Sequence, residues 1–309
     1  MATLRREVRD GQGNLLVLTK QLTLDLTPPV SPITGGDWNT SANPPPTYYT
    51  GARPTERCYR LGHAATAAGQ GADHIALTDE SVINLNNPSA AATTFRNWAE
   101  DFWYGAGSAA RKDKRVTIAC ANEIDSQYTS GQLPAVVIDT HDVVNQVAMT
   151  KNGDGSRRFP NLETAVDMTW WQVHQFGAGL RFKPLAPFVT RFACSLYNPG
   201  RDKTPVVWTP YADYVDEMVA TAKDWGLKFF QVWETGSAVS ATDPLKRASY
   251  FGDWLNYVTQ ECVDNGIVPE FYHYWNRVKS GGPENPFSFD RQVAPNDTAT
   301  IWYNWSFQG

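Results

Sequence analysis

Apolar and polar positions change period along this chain, and each change marks an element. Phe95, Trp98, Ala99 and Phe102 recur at three- and four-residue steps, which predicts a helix over 94–105. Val136, Val143 and Val147 form a similar stripe and predict a helix over 136–149, with a strand over 135–139 as the competing reading. Short, nearly continuous apolar runs predict strands over 57–61, 74–78, 115–123, 165–174 and 188–197.

The last third of the chain is the clearest. Thr209-Pro210 and Asp243-Pro244 each pair a capping residue with proline at the first helical position. Tyr211, Val215, Met218, Ala222 and Trp225 then mark one helical face, which Gly226 stops. Tyr250, Trp254, Tyr257, Val258 and Cys262 mark another, which Gly266 stops. Strands over 227–234 and 267–275 follow at once, and Pro269 is tolerable so near a strand start. Two successive helix–glycine–strand units require right-handed crossovers and a parallel sheet. No glycine-rich phosphate loop follows any strand, which weighs against an open doubly wound sheet. The expected fold class is α/β, a (β/α)8 TIM barrel.

The first fifty residues do not alternate in this way. The turn at Asp10-Gly-Gln-Gly-Asn14 between Arg5-Arg-Glu-Val8 and Leu15-Leu-Val-Leu-Thr-Lys20 predicts a hairpin. Pro28-Pro29, Pro32, Gly35-Gly36 and Pro44-Pro-Pro46 are loop chemistry that sustains neither helices nor central strands. The chain is therefore expected to divide into 1–56, a hairpin plus an extended arm, and 57–309, the barrel. Such an arm either plugs the barrel's N-terminal end or docks onto another subunit.

Composition narrows the ligand. With 309 residues and 42% apolar positions the chain can bury a large core. A net charge of −5 argues against nucleic acid as the main partner. Twelve tryptophans favour either bulky packing or a cleft that stacks on sugar rings. The four cysteines are far apart, without zinc spacing, and read as buried free thiols. The N-terminus has no apolar core of a signal peptide, and no stretch is long enough for a membrane span. A cytoplasmic or virion-associated protein is expected.

The candidate chemistry lies where two strands stop. The runs 115–123 and 227–234 each end on a carboxylate, Glu123 and Glu234. In a barrel of parallel strands the C-terminal ends converge on one mouth. Two carboxylates there are the minimum equipment for cleaving a glycosidic bond. Asn122 precedes Glu123 and suits a sugar hydroxyl. His273 and His174 are each either a sugar contact or a satisfied core histidine, and Trp275 is either a sugar platform or a core residue. Asp139-Thr-His-Asp142 reads as solvated helix surface, and Asn152-Gly-Asp-Gly-Ser156 as a turn lacking the glutamate that completes a calcium loop. The five histidines form no metal-binding pattern, so neither a metal nor another cofactor is expected.

At these positions the chain resembles the clan A retaining glycoside hydrolases, which are built on (β/α)8 barrels. In that clan an Asn-Glu pair ends strand 4, a second Glu ends strand 7 and a Trp ends strand 8. Asn122-Glu123, Glu234 in Trp-Glu-Thr-Gly, and Trp275 match in order. The resemblance implies Glu123 as acid/base and Glu234 as nucleophile, with carboxyl groups about 5–5.5 Å apart. It implies Tyr197 as a tyrosine on the nucleophile and Arg60 as the arginine found after strand 2. With Asn122, Trp275, His273 and Trp233 these are the expected substrate-binding residues. The implied function is retaining hydrolysis of a polysaccharide or cell-wall glycan. The alternative is a glycan-binding or structural barrel without strong activity. In architecture the chain also resembles tail proteins of phages infecting actinobacteria, which implies other virion tail proteins as partners through the N-terminal arm.

Overall fold

The computed structural model describes residues 55–197, 210–235 and 253–273 in full, and the backbone of 2–9, 15–22, 33–36, 236, 244–252 and 274. The chain divides into two units, Met1–Val30 and Ser31–Gln308. In the first, β1 (Ala2–Arg9) and β2 (Leu15–Leu22) form an antiparallel hairpin in register Ala2 to Leu22. The second is a closed barrel of eight parallel strands. In chain order these are β3 (Ile33–Gly36), β4 (Thr55–Cys58), β5 (His74–Leu77), β6 (Arg115–Ala119), β7 (Leu162–Thr169), β8 (Arg191–Tyr197), β9 (Phe229–Gly236) and β10 (Val268–Tyr274).

β3 departs from the sequence expectation, which puts 33–36 in the arm. It pairs with β10 on one side and with β4 on the other, and so closes the ring. Glycine is a poor strand former in isolation, but here it fills a gap whose two edges would otherwise expose unpaired ladder groups.

The glycine stops work as the pattern predicts. Helices α1 (Leu61–Gly69), α7 (Ala212–Asp224) and α8 (Pro244–Asp264) run into Gly71, Gly226 and Gly266, at φ 98°, 74° and 70°. The N–H of Leu227 reaches the Ala222 carbonyl and that of Gly226 the Lys223 carbonyl, at 3.1 and 2.9 Å. Ile267 and Gly266 repeat this with Cys262 and Val263, at 2.8 and 2.9 Å. This double bond satisfies the last carbonyls and turns the chain directly into the next strand. Thr209 and Asp243, the expected caps, lie outside the described residues; Pro244 does open α8, whereas α7 begins at Ala212, two residues after Pro210.

Helix α2 (Pro88–Tyr104) begins where the Asn87 side chain accepts the Ala90 N–H at 3.1 Å. It buries Phe95, Ala99 and Phe102. Two further helices are α3 (Ile124–Gln127) and α4 (Ala135–Ala148), the latter resolving 135–139 as helix. The expected strand over 165–174 ends early, at Thr169. There the chain enters α5 (Trp170–Phe176) because the Thr169 hydroxyl accepts the Gln172 N–H. His174 is therefore on a helix, paired with Glu217 at 2.9 Å. Helix α6 (Ala178–Arg181) follows.

Inside the barrel, β5, β6, β7 and β8 contribute Ala76, Ala119, Ala165 and Ala193. These small residues leave room for two large rings, Trp233 of β9 and Phe271 of β10. The interior is thus packed rather than hollow. Below it, Glu270 accepts from Arg191 and Arg115, at 3.2 and 2.7 Å, and Gln231 also donates to it. All four cysteines are buried free thiols.

Candidate active site

A bulge in β9 builds the site. Cys194 and Ser195 are consecutive on β8, yet their partners are Val232 and Glu234. The extra residue breaks the alternation, so two successive side chains turn inward: Trp233 into the packed interior and Glu234 to the mouth. Glu234 is 7% exposed. Tyr59, just past β4, donates its hydroxyl to Glu234 Oε1 at 2.5 Å. Tyr197, the last residue of β8, donates to Oε2 at 2.9 Å. Each carboxylate oxygen thus has a phenol, one from either side.

Glu123 follows β6 and begins α3. Its backbone is left-handed, φ 45° and ψ 57°, and it is the one non-glycine residue with positive φ among the described residues. Its N–H donates to Asp167 Oδ2 at 3.2 Å. Asn122 beside it accepts from Arg57 Nη2 at 2.7 Å through Oδ1. Arg57 is fully buried, 3.6 Å from Asp167, and its guanidinium lies over the rings of Trp233 and Tyr59 at 4.3 and 4.5 Å.

The charges are tightly grouped. Burial pushes the Asp167 carboxyl well above its usual range; Arg57 opposes this, and Glu123 and Glu234 add to it. Burial, followed by the Glu234 carboxylate, raises the Tyr197 phenol, and Glu123 contributes to the same shift. Both carboxylates therefore act on the same two groups.

A cavity of about 570 Å3 opens over this floor, lined by Tyr59, Arg60, Thr78, Glu80, Asn122 and Glu234, with Ser81 at its side. Arg60 is half exposed and pairs with Asp79 at 3.2 Å. Burial alone would raise Asp79, but bonds from Ser81, the Leu61 N–H and Arg60 hold it below its usual range. Glu80 accepts the Asn122 N–H at 2.8 Å and Gln127 Nε2 at 2.7 Å. The lining includes both donors and acceptors, which suits a ligand rich in hydroxyl groups.

Of the residues expected from sequence, Glu234, Asn122 and Arg60 line one cavity and Tyr197 bonds Glu234; Glu123 is not among the lining residues but acts electrostatically on Asp167 and Tyr197. Two expectations are corrected. Trp233 is 0% exposed, with Nε1 donating to Gln231 at 2.8 Å, so it supports the floor and cannot meet a sugar. His273 is also 0% exposed, bonded to the Thr55 hydroxyl and stacked on Phe271 at 4.7 Å. Trp275 lies outside the described residues. Arg57, Tyr59 and Asp167 were not anticipated. A charged residue within a buried strand was the available signal for Arg57 and Asp167.

Asp139 is exposed while His141 between the two aspartates is buried, its Nδ1 bonded to the Val137 carbonyl at 2.8 Å. Among the described residues no group of three His, Cys, Asp or Glu side chains is arranged for a metal ion, and no helix is long and apolar enough to cross a membrane.

No family model and no curated protein sequence matches the chain. Its fold is similar to that of a glycoside hydrolase family 17 β-1,3-glucanosyltransferase from Rhizomucor miehei, at TM-score 0.55 and 14% identity, covering 87% of this chain and 97% of that one. It is also similar to a family 5 xyloglucanase from Paenibacillus pabuli (TM-score 0.49, 14% identity, 91% and 98% covered). A β-glucosidase from Pyrococcus furiosus gives TM-score 0.48 at 12% identity, with 80% and 69% covered.

Proposed function

We propose that this chain is a retaining glycoside hydrolase acting on a polysaccharide or cell-wall glycan. Glu234 is the nucleophile and Glu123 the acid/base. The observation that carries this reading is the pair of phenols on Glu234 at the floor of a hydroxyl-matched cavity walled by Asn122. Two donors on one carboxylate fix the plane of its oxygens, and a nucleophile must be so fixed to meet carbon 1 in line.

In the first step a Glu234 oxygen bonds to carbon 1 as the glycosidic bond breaks. The leaving oxygen takes the Glu123 proton. In the second, water attacks carbon 1, Glu123 accepts its proton, and the Glu234 ester bond breaks. The fold of the glucanosyltransferase is compatible with this chemistry and supports the barrel alone.

The test is hydrolysis of a panel of 4-nitrophenyl glycosides and soluble glycans. Glu234→Gln should abolish turnover. Glu123→Ala should lose about 10²–10⁴-fold on substrates with poor leaving groups. Azide should restore its rate on activated substrates and yield a glycosyl azide with retained configuration. Turnover unchanged by Glu234→Gln would overturn the assignment. Glycan binding without any turnover would favour a binding barrel instead.

A further inference from the structure

We infer that Asp167 is the positioning residue that holds the Asn122–Glu123 corner, working through the Glu123 backbone and through Arg57. The positioning stands on geometry alone; its use in proton donation rests on the reading of Glu123 above.

Three observations meet at this side chain. First, Glu123 sits in a left-handed conformation that non-glycine residues seldom adopt. Such strain persists only where the surroundings over-determine it. The Asp167 carboxylate accepts the Glu123 N–H at 3.2 Å, which pins the strained residue. Second, Arg57 links the same carboxylate, at 3.6 Å, to the Asn122 amide oxygen, at 2.7 Å. Both residues of the corner are thus tied to one buried acid on the neighbouring strand. Third, Asp167 is 0% exposed, and its Oδ1 has no hydrogen-bond partner among the described residues. A buried carboxyl with one oxygen unpartnered is costly, and an apolar side chain would avoid that cost. The place of Asp167 beside Glu123 and Glu234, whose carboxylates raise its pKa further, is one that an apolar residue would fill at less cost but without tying the corner.

A merely structural acid would stabilise β7 and leave the corner alone. The corner is therefore what must be measured. Amide hydrogen exchange at Glu123 is followed in the full chain for wild type, Asp167→Ala and Asp167→Asn. The alanine variant should exchange at Glu123 about tenfold faster, the scale of losing one buried hydrogen bond. The asparagine variant keeps an acceptor oxygen and should rise by about two- to fivefold. Strands β6 and β7 should keep their protection. Unchanged exchange at Glu123, or an equal rise throughout β6 and β7, would overturn the inference. Should the alanine variant not fold, the asparagine variant decides by the same criteria.

Activity supplies the second readout, on whichever 4-nitrophenyl sugar the wild type cleaves. A misplaced acid/base harms poor leaving groups most. Asp167→Asn should lower kcat more on the phenyl glycoside than on the 2,4-dinitrophenyl glycoside, with KM little changed. Equal losses on both would overturn the link to proton donation. If the wild type cleaves none of the panel, the proposed function fails, while the exchange result still decides the role of Asp167.

Discussion

The Tyr59 hydroxyl meets Glu234 Oε1 at 2.5 Å although 175 residues separate them. Tyr59 leaves the end of β4 and Glu234 belongs to β9, so the bond spans the barrel mouth. Tyr197, on β8 beside β9, holds the other oxygen. The carboxylate is gripped from across the ring and from next door.

Removing either phenol should therefore slow the reaction without unfolding the chain. A hydrogen bond to a charged group contributes about 1.5–3 kcal/mol, so Tyr59→Phe and Tyr197→Phe should each lower kcat by about 10–100-fold. The two share one carboxylate, so the double variant should depart from additivity. The check is a double-mutant cycle on an aryl glycoside, with melting temperature as the control. Independent, additive losses would mean that the phenols do not act on one group.

Retention also sets a length. The carboxyl carbons of Glu123 and Glu234 should lie about 5–5.5 Å apart in a crystal of the chain with a bound sugar analogue, and its product should keep the substrate's anomeric configuration. A separation of about 6.5–9.5 Å with inverted product would assign the other mechanism to the same two residues.

Asp125 gives stability a pH dependence of known sign. It follows Glu123 by two residues, is 0% exposed, and accepts the Thr169 N–H at 2.8 Å. Burial raises its carboxyl to about 7, and the Thr169 bonds oppose that shift. A folded pKa above the unfolded one means that the neutral acid is favoured in the native state. Its contribution is complete below the unfolded pKa near 3.8 and is lost as pH rises through about 7. The full span is on the order of 4 kcal/mol. His141 works in the opposite sense: burial lowers it to about 4, so its contribution is lost as pH falls from about 6.5 toward that value. Urea unfolding of Asp125→Asn beside wild type isolates the aspartate. The variant should gain on the wild type between pH 5 and 8. A constant difference across that range would show that Asp125 does not titrate there.

The sequence made some of this legible and hid the rest for physical reasons. Helix stops at Gly226 and Gly266 were readable because a left-handed carbonyl-satisfying turn needs glycine. The two glutamates were readable as the points where apolar runs stop on a charge, but the strand ends were not: β6 stops at Ala119, four residues before Glu123, and β9 runs on past Glu234 to Gly236. α5 was hidden by Trp170 and Trp171, which extend the apolar run past the true strand end. The cap was in view as Thr169 with Gln172 three residues on. The β9 bulge was not readable, since alternation alone would place Trp233 and Glu234 on opposite faces. Alternation would turn Trp233 out of the barrel, away from Glu234; the bulge brings it into the packed interior instead. Arg57 and Asp167 were hidden because what satisfies a buried charge lies on a distant strand.

The N-terminal region offers a sharper test than its composition suggested. β3 is a barrel strand held between β10 and β4, whereas the hairpin β1–β2 belongs to the separate unit Met1–Val30. Two shortened chains separate these parts. One starting at Ser31 keeps all eight barrel strands and should unfold cooperatively. One starting at Thr50 lacks β3, which leaves the facing edges of β10 and β4 without their ladder partners. Unpaired edges favour association with other chains. The shorter chain should therefore lose cooperative unfolding or aggregate, and thermal melting with size-exclusion chromatography reads both. Equal melting of the two would mean that β3 is dispensable to closure. A change of assembly state in the Ser31 chain, with its melting unaltered, would assign the hairpin to docking on a partner.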